Sequence, residues 1–575
     1  MRGLTLVAKD TNLSPWKVAK PQYFNCTSPH SFYDLIESIT DQTRPGWVLH
    51  RIANLIRKAD IEASYPHLTG RLEWHSKGLA AFELENKQLK SVIGGRLSSE
   101  CLSLSLFSDQ VDANSLETID NKKLLVHCII KRDHSELGTK THIYEAIVRP
   151  CFLLNNFLNG IRTYDVTIGS RQFEMKGLYF SQQNRESAKC AQSAMAMALR
   201  ALGRRTKSDN EVTPAEIIRL APGSLGKGLE LSEMVRVFKG FGINPLAVNF
   251  QDPHAVDLDY RSYVHLGIES GVPVLLCFVT RNRKKQRLDR HVVTVFGHTL
   301  NTDTWIAEAE FGYGVTTPHK YHSSYHWCPH WIISDDNLGM AYNLQANRLT
   351  SAWNQWNIQK KGNWSSRFLD WVLRMPRKLR VMNEFREFDL VGVLVPLSVP
   401  PKFDLKGAEI KVIKHLSGFN TARWKDSDAG VPFARKARWI KRLIDQFDRT
   451  HPGPGPILRT RHIGKSTYIN HLRDADTTDW DGRSLDKALV DEIEKALPDN
   501  FWMTEYTLAN LLTANQRKLG EVLWESRWSF SRDIADGLLL TRFPGLVKLH
   551  KGKQSTHATR CWGHIPLLST ARERS

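Results

Sequence analysis

Three complementary kinds of side chain stand at telling places in this sequence: a cysteine at a helix start, a histidine at a strand start and carboxylates at a strand end. Cys190 lies in QQNRESAKCAQSAMAMALRALG (182–203), where a polar segment passes into an alanine-rich run. A thiol attacks a carbonyl carbon only as its thiolate, and a free cysteine is mostly protonated at neutral pH. The first turn of a helix aims unpaired N–H groups and the positive end of the macrodipole at such a sulfur. Ser187 suits the N-cap, which puts Cys190 at the third helical position, and Gly203 suits the helix stop. The plain alternative is a small buried cysteine in a core helix, and position alone does not choose between the two.

The choice turns on what else the chain offers. His291 opens the β-branched run DRHVVTVFGH, where an imidazole can reach across a cleft to take a thiol proton. WIISDDNLG ends on Asp335 and Asp336 before a glycine turn. A carboxylate there can orient the imidazole and stabilise its cation. Gln183, or its neighbour Gln182, is placed to help the Cys190 backbone N–H hold an oxyanion. Each has an ordinary reading as well, a solvated loop histidine or the aspartates of a turn.

Taken in the order Gln183, Cys190, His291, Asp335, with helices between cysteine and histidine and strands afterwards, these residues resemble papain-like cysteine peptidases. Within that group they are most similar to the bacterial double-glycine peptidases that trim bacteriocin leaders, and to their stand-alone relatives. The resemblance covers roughly residues 171–345. It rests on a glutamine ahead of the cysteine, a histidine opening a strand as H-x-V-V, and an aspartate four residues before Gly339. It implies a helical part followed by an antiparallel sheet, with Gln183 as oxyanion donor and Asp335 as third member. Ala191 stands where the family has glycine, and Asp336 where it has proline. The stretch from His291 to Asp335 is longer than the family's hairpin, making FGYGVTTPHKYHSSYHWCPH an insertion and leaving Asp336 or Glu308 as alternatives to Asp335. The transporter domains of the leader-trimming enzymes have no counterpart, so the resemblance does not specify a leader peptide.

The elements that must position these residues read as α+β. Apolar spacing predicts helices in HSFYDLIESIT and GWVLHRIANLIRKADIEASY, and strands in CLSLSLFS, KKLLVHCIIKR and YEAIVRPCFLL. After the Cys190 helix come helices at TPAEIIRLA and LELSEMVRVFKGFG, then strands at NPLAVNF, VPVLLCFVT, HVVTVFGHTL, DTWIAEAEF and HWIISDDN. This divides the chain into an N-terminal α+β domain of unassigned role (1–170), a papain-like central domain (171–345) and a basic C-terminal mixed domain (346–575). HPGPGP (451–456) is the strongest breaker and marks a loop or subdomain joint. REFDLVGVLVPLSVPP reads as a strand, SLDKALVDEIEKAL as a serine-capped helix, and NQRKLGEVL as helical. GSLGKG lacks the Walker spacing and reads as a turn.

Composition bounds the rest. The chain has 575 residues, 41% hydrophobic and 24% charged, as expected of a multidomain folded protein. No apolar run approaches the roughly 18 residues of a membrane span, and no signal-peptide core follows the first methionine, so a cytoplasmic location is expected. The eight cysteines form no C-x-x-C pair, which argues against zinc ribbons and disulfide scaffolds. Net charge of +19 favours acidic partners, but no nucleic-acid motif accompanies TRNRKKQRLDRH or RMPRKLRVM. The group His319, His322, His326, Cys328 and His330 has metal-ligand chemistry without metal-ligand spacing, and reads as a packed loop lining the cleft. No cofactor or metal is expected. The leading expectation is a cysteine hydrolase acting on a peptide or isopeptide bond of a protein or peptide substrate. Acyl transfer or deamidation on the same fold, and an inactive peptidase-like scaffold binding nucleic acid or an acidic protein, are the alternatives.

Overall fold

In a computed structural model the chain folds into two compact units interleaved along the sequence. Unit 1 comprises Met1–Leu258, Val272–Gly297 and Trp331–Pro396, and unit 2 comprises Asp259–Gly271, His298–His330 and Leu397–Ser575. The structure describes residues 5–6, 22–26, 68–75, 98–135, 138–149, 156–182, 190–204, 212, 214–221, 228–252, 255, 258–282, 287–300, 321–347, 349–351, 388–397, 405–421, 456–474, 485–513, 517–526, 537–543, 546–551, 554–558 and 565–568. Helices and largely antiparallel sheets are mixed among these residues, so the chain is α+β. Residues 259–271 and 298–330 group with the C-terminal part of the chain.

In unit 1 the N-terminal strands form an eight-stranded sheet that ends with β1 (Gly138–Val148), β2 (Arg171–Phe180) and the neighbouring strand Arg162–Ile168. CLSLSLFS and KKLLVHCIIKR lie in this sheet as adjacent antiparallel strands. The two helices expected before residue 66 lie outside the described residues.

The chain leaves β2 through Ser181 and Gln182 and resumes as α1 (Cys190–Ala201). Alanine, methionine and leucine are strong helix formers, and α1 is buried at every residue after Cys190, its polar Gln192, Ser193 and Arg200 included. Met195, Ala196, Ala198 and Leu199 have no exposed surface. Burying a side chain the size of Met195 or Leu199 contributes about 1.5–3 kcal/mol. Gly203 ends the helix at φ +65°, with Arg204 N–H donating to Leu199 O at 3.0 Å. The helices at Pro214–Leu220 and Leu231–Gly240 follow as expected.

The second sheet of unit 1 carries β3 (Val274–Asn282), β4 (Arg287–Thr299), β5 (His330–Asp335), β6 (Gly339–Gln345) and β7 (Phe388–Val395). They pair in the order β7-β3-β4-β5-β6, with Leu246–Asn249 beyond β7. β3 and β4 are antiparallel, with Phe278 opposite His291 and Cys277 opposite Val292. The β3–β7 register shifts between Cys277 and Phe278, and a bulge of this kind re-aims the flanking side chains. The core joins α1 to Leu275, Cys277, Val292 and Phe296 of these strands.

Unit 2 holds a seven-stranded sheet that includes His322–Ser323, β8 (Ile457–Gly464), β9 (Asn500–Thr507) and β10 (Gly520–Glu525). The expected helix at NQRKLGEVL is corrected: Gly520–Glu525 is a strand between β9 and Leu538–Phe543, and Leu519, Val522, Leu523 and Trp524 are all buried. Two-sided burial erases the alternation that marks a half-exposed strand. The helix in SLDKALVDEIEKAL is present as Lys487–Ala496, but its cap is Asp486, which accepts from Ala488 N–H at 2.9 Å. HPGPGP lies almost wholly outside the described residues, as do DTWIAEAEF and most of GSLGKG.

Candidate active site

Cys190 opens the described part of α1 and is partly exposed, whereas Cys101, Cys128, Cys277 and Cys328 are buried. The strand opposite supplies the imidazole. Thr294 Oγ1 on β4 donates to Ala194 O of α1 at 2.9 Å, which braces the histidine strand against the cysteine helix about one helical turn past Cys190. His291 is only 14% exposed, and the Cys190 side chain is near enough to favour its protonated ring. Its ring meets the Phe278 ring edge-on, centroids 5.4 Å apart, which limits its rotation.

The turn between β5 and β6 supplies the carboxylates. His291 Nε2 lies 3.1 Å from Asp335 Oδ2 and 3.6 Å from Asp336 Oδ1. Asp335 Oδ1 accepts from the backbone N–H groups of Asn337 (2.7 Å) and Leu338 (3.2 Å), so the carboxylate is fixed by the turn. Gly339 completes the turn at φ +116°, a conformation that favours glycine. An ionised carboxylate only accepts hydrogen bonds, so Nε2 carries the proton and Nδ1 is left for the thiol.

The electrostatics follow from this geometry. Burial opposes the imidazolium, but the Asp335 hydrogen bond, the Cys190 side chain and Asp336 outweigh it and hold His291 well above the usual histidine range. Burial likewise opposes the Asp335 carboxylate, and His291 with the two turn N–H groups keeps it below the usual carboxylate range. Burial, then the nearby Cys190, pushes Cys277 up to about 12, and burial pushes Cys128 to about 12 as well. Those two sulfurs stay protonated at neutral pH.

Of the residues singled out from sequence, Cys190, His291, Asp335 and Asp336 converge. Between the two aspartates, Asp335 makes the hydrogen bond and Asp336 stands slightly further off. Gln183, Ser187 and Glu308 lie outside the described residues. Gln182 continues the sheet instead of facing a substrate: its N–H donates to Ile143 O at 2.9 Å, and its Oε1 accepts from Ile143 N–H at 3.1 Å. Among the described residues two groups have metal-ligating geometry, His291 with Asp335 and Asp336, and His265 with His298 and Cys328. Sequence reading placed metal-ligand chemistry in 319–330, and of that group only Cys328 belongs to such a cluster among the described residues. Its partners are 30 and 63 positions upstream, on a strand and on a helix, beyond the reach of a local spacing rule. Comparison with family models, curated proteins and solved structures gives no match.

Proposed function

We propose that the chain is a cysteine hydrolase acting on a peptide or isopeptide bond, with a papain-like arrangement of helix, sheet and turn. The observation that carries this reading is one imidazole held between a thiol at a helix start and a turn-fixed carboxylate. His291 and Cys190 work as an imidazolium–thiolate pair. The thiolate attacks the carbonyl carbon, and the charge that develops on oxygen faces the helix N-terminus, where the Cys190 N–H donates. Gln183 is the proposed second donor. His291 gives its proton to the leaving nitrogen as the C–N bond breaks, leaving a thioester. It then takes a proton from water, whose oxygen attacks the thioester and restores the thiolate. Asp335 orients the ring throughout, and Asp336 adds a second negative charge that favours the imidazolium.

The test is turnover of a mixed peptide and isopeptide library read by mass. Wild-type protein adds one water per cleavage, and Cys190→Ala abolishes the reaction, with a loss of at least about 10³-fold. Cys190→Ala protein that cleaves at the wild-type rate ends the reading. Loss of ammonia or cross-linking in place of cleavage assigns the same thiol to deamidation or acyl transfer.

A further inference from the structure

A second thiol, imidazole and carboxylate group lies within unit 2. Glu269 closes α2 (Tyr260–Glu269), and His265 lies one turn before it. His298 sits near the end of β4, and Cys328 follows the short helical turn Ser324–Trp327. His298 Nε2 is 2.8 Å from Glu269 Oε1, and His298 Nδ1 is 3.4 Å from Cys328 Sγ. The rings of His265 and His298 stack at 5.5 Å, and His265 Nε2 is 3.3 Å from Ser324 Oγ. Exposure is 2% for His265 and Cys328, 1% for His298 and 3% for Glu269.

That burial separates this group from the first. A nucleophile must meet its substrate, and a cysteine only 2% exposed, its sulfur against the His298 ring, offers an acyl group no approach. The geometry suits a metal ion instead. Donor atoms of His265, His298 and Cys328 lie within 4.8 Å of one another. Tetrahedral zinc bonds sulfur at about 2.3 Å and nitrogen at about 2.0–2.1 Å, which sets the two donors roughly 3.5 Å apart. Cys328 Sγ and His298 Nδ1 are 3.4 Å apart.

The surroundings complete the pattern. The Glu269 carboxylate accepts from His298 Nε2–H, which turns the Nδ1 lone pair toward Cys328, as an outer carboxylate does for a zinc-bound histidine. Glu269 is itself fixed by Arg459, whose Nε donates to Oε2 at 2.8 Å. Arg459 also bonds Glu505 at 2.8 Å, so the outer ring is anchored in β8 and β9. Ser324 Oγ is near enough to His265 to serve, directly or through water, at the fourth position.

We infer that His265, His298 and Cys328 form a structural site for a tetrahedral, zinc-class divalent cation, with Glu269 as the positioning carboxylate on His298. Binding takes the Cys328 thiol proton to solvent and forms the metal–sulfur bond. The site is independent of the chemistry at Cys190.

The full chain, grown with zinc, should carry one zinc per molecule by elemental analysis. After exchange for Co²⁺ it should show visible bands of a tetrahedral ion and a near-ultraviolet thiolate-to-cobalt band. Cys328→Ser should lose the thiolate band, and Cys190→Ala should keep both the metal and the band. A wild-type protein that carries no zinc, and shows no thiolate band on cobalt addition, overturns the site without recourse to any variant. A thiolate band that survives in Cys328→Ser, or vanishes in Cys190→Ala, also overturns it.

Discussion

His291 is the residue whose surroundings decide the account, because a carboxylate and a thiol share one ring. The same groups raise its proton affinity. Protonated His291 therefore contributes stability that is fully present below about pH 6.5, its ordinary value, and is lost as pH rises through the higher folded value. For the proposed hydrolase the same shift sets the alkaline limb of the pH–rate profile. Asp335→Asn keeps the shape and removes the charge, so the limb should move to lower pH by about one to three units. Asp336→Asn, which removes the more distant contact, should move it less. A limb indifferent to Asp335→Asn assigns the imidazole to another partner. Residue type and order sufficed to single out Cys190, His291 and the Asp335–Asp336 pair, because helix starts and glycine turns leave local marks. The choice between the aspartates was not legible, since it depends on how the turn folds over the ring. Nor was the role of Gln182, whose hydrogen bonds reach across 39 positions.

At the scale of elements, β4 runs through both proposed sites: it carries His291 and, seven residues on, His298. Between them Gly297 pairs with Asn156–Leu158, and a β-carbon on it would lie 1.8 Å from Phe157 O. The two backbones must part to admit even a methyl group. Gly297→Ala should cost about 1–3 kcal/mol in denaturant unfolding, together with lower activity, because the displaced strand carries His291. An unchanged unfolding midpoint would contradict that close approach. Strand β4 was legible from its β-branched run, and α1 from its alanines. Helix α2 was not: YRSYVHLGIE mixes aromatic and β-branched residues with a glycine, and it is buried along almost its whole length, so no polar face marks its period. That helix supplies His265 and Glu269, which is why the second cluster stayed hidden.

On the scale of the whole molecule, charge and burial set how each unit responds to its surroundings. Among the described residues no helix is long and apolar enough to cross a membrane. In unit 2, burial above all holds His415, His462 and His550 down to about 4 and His471 to about 3. Below about pH 6.5 the unfolded chain binds protons that these folded sites refuse, so stability falls by up to about 1.4 kcal/mol per pH unit for each histidine. Hydrogen exchange should show segments 456–474 and 538–551 losing protection between pH 7 and 5 before segment 98–135 does. Loss in the reverse order would contradict this. The interleaving of the units was beyond sequence reading, because it rests on which distant segments share a core. The central claim is tested most directly by limiting iodoacetamide near pH 6.5, with peptide mapping of every cysteine. Cys190 should be alkylated first, Cys128 and Cys277 should stay unmodified in the folded protein, and His291→Ala should slow Cys190 at least about tenfold. Labelling of Cys190 at the rate of any exposed thiol, and unaltered in His291→Ala, would contradict it.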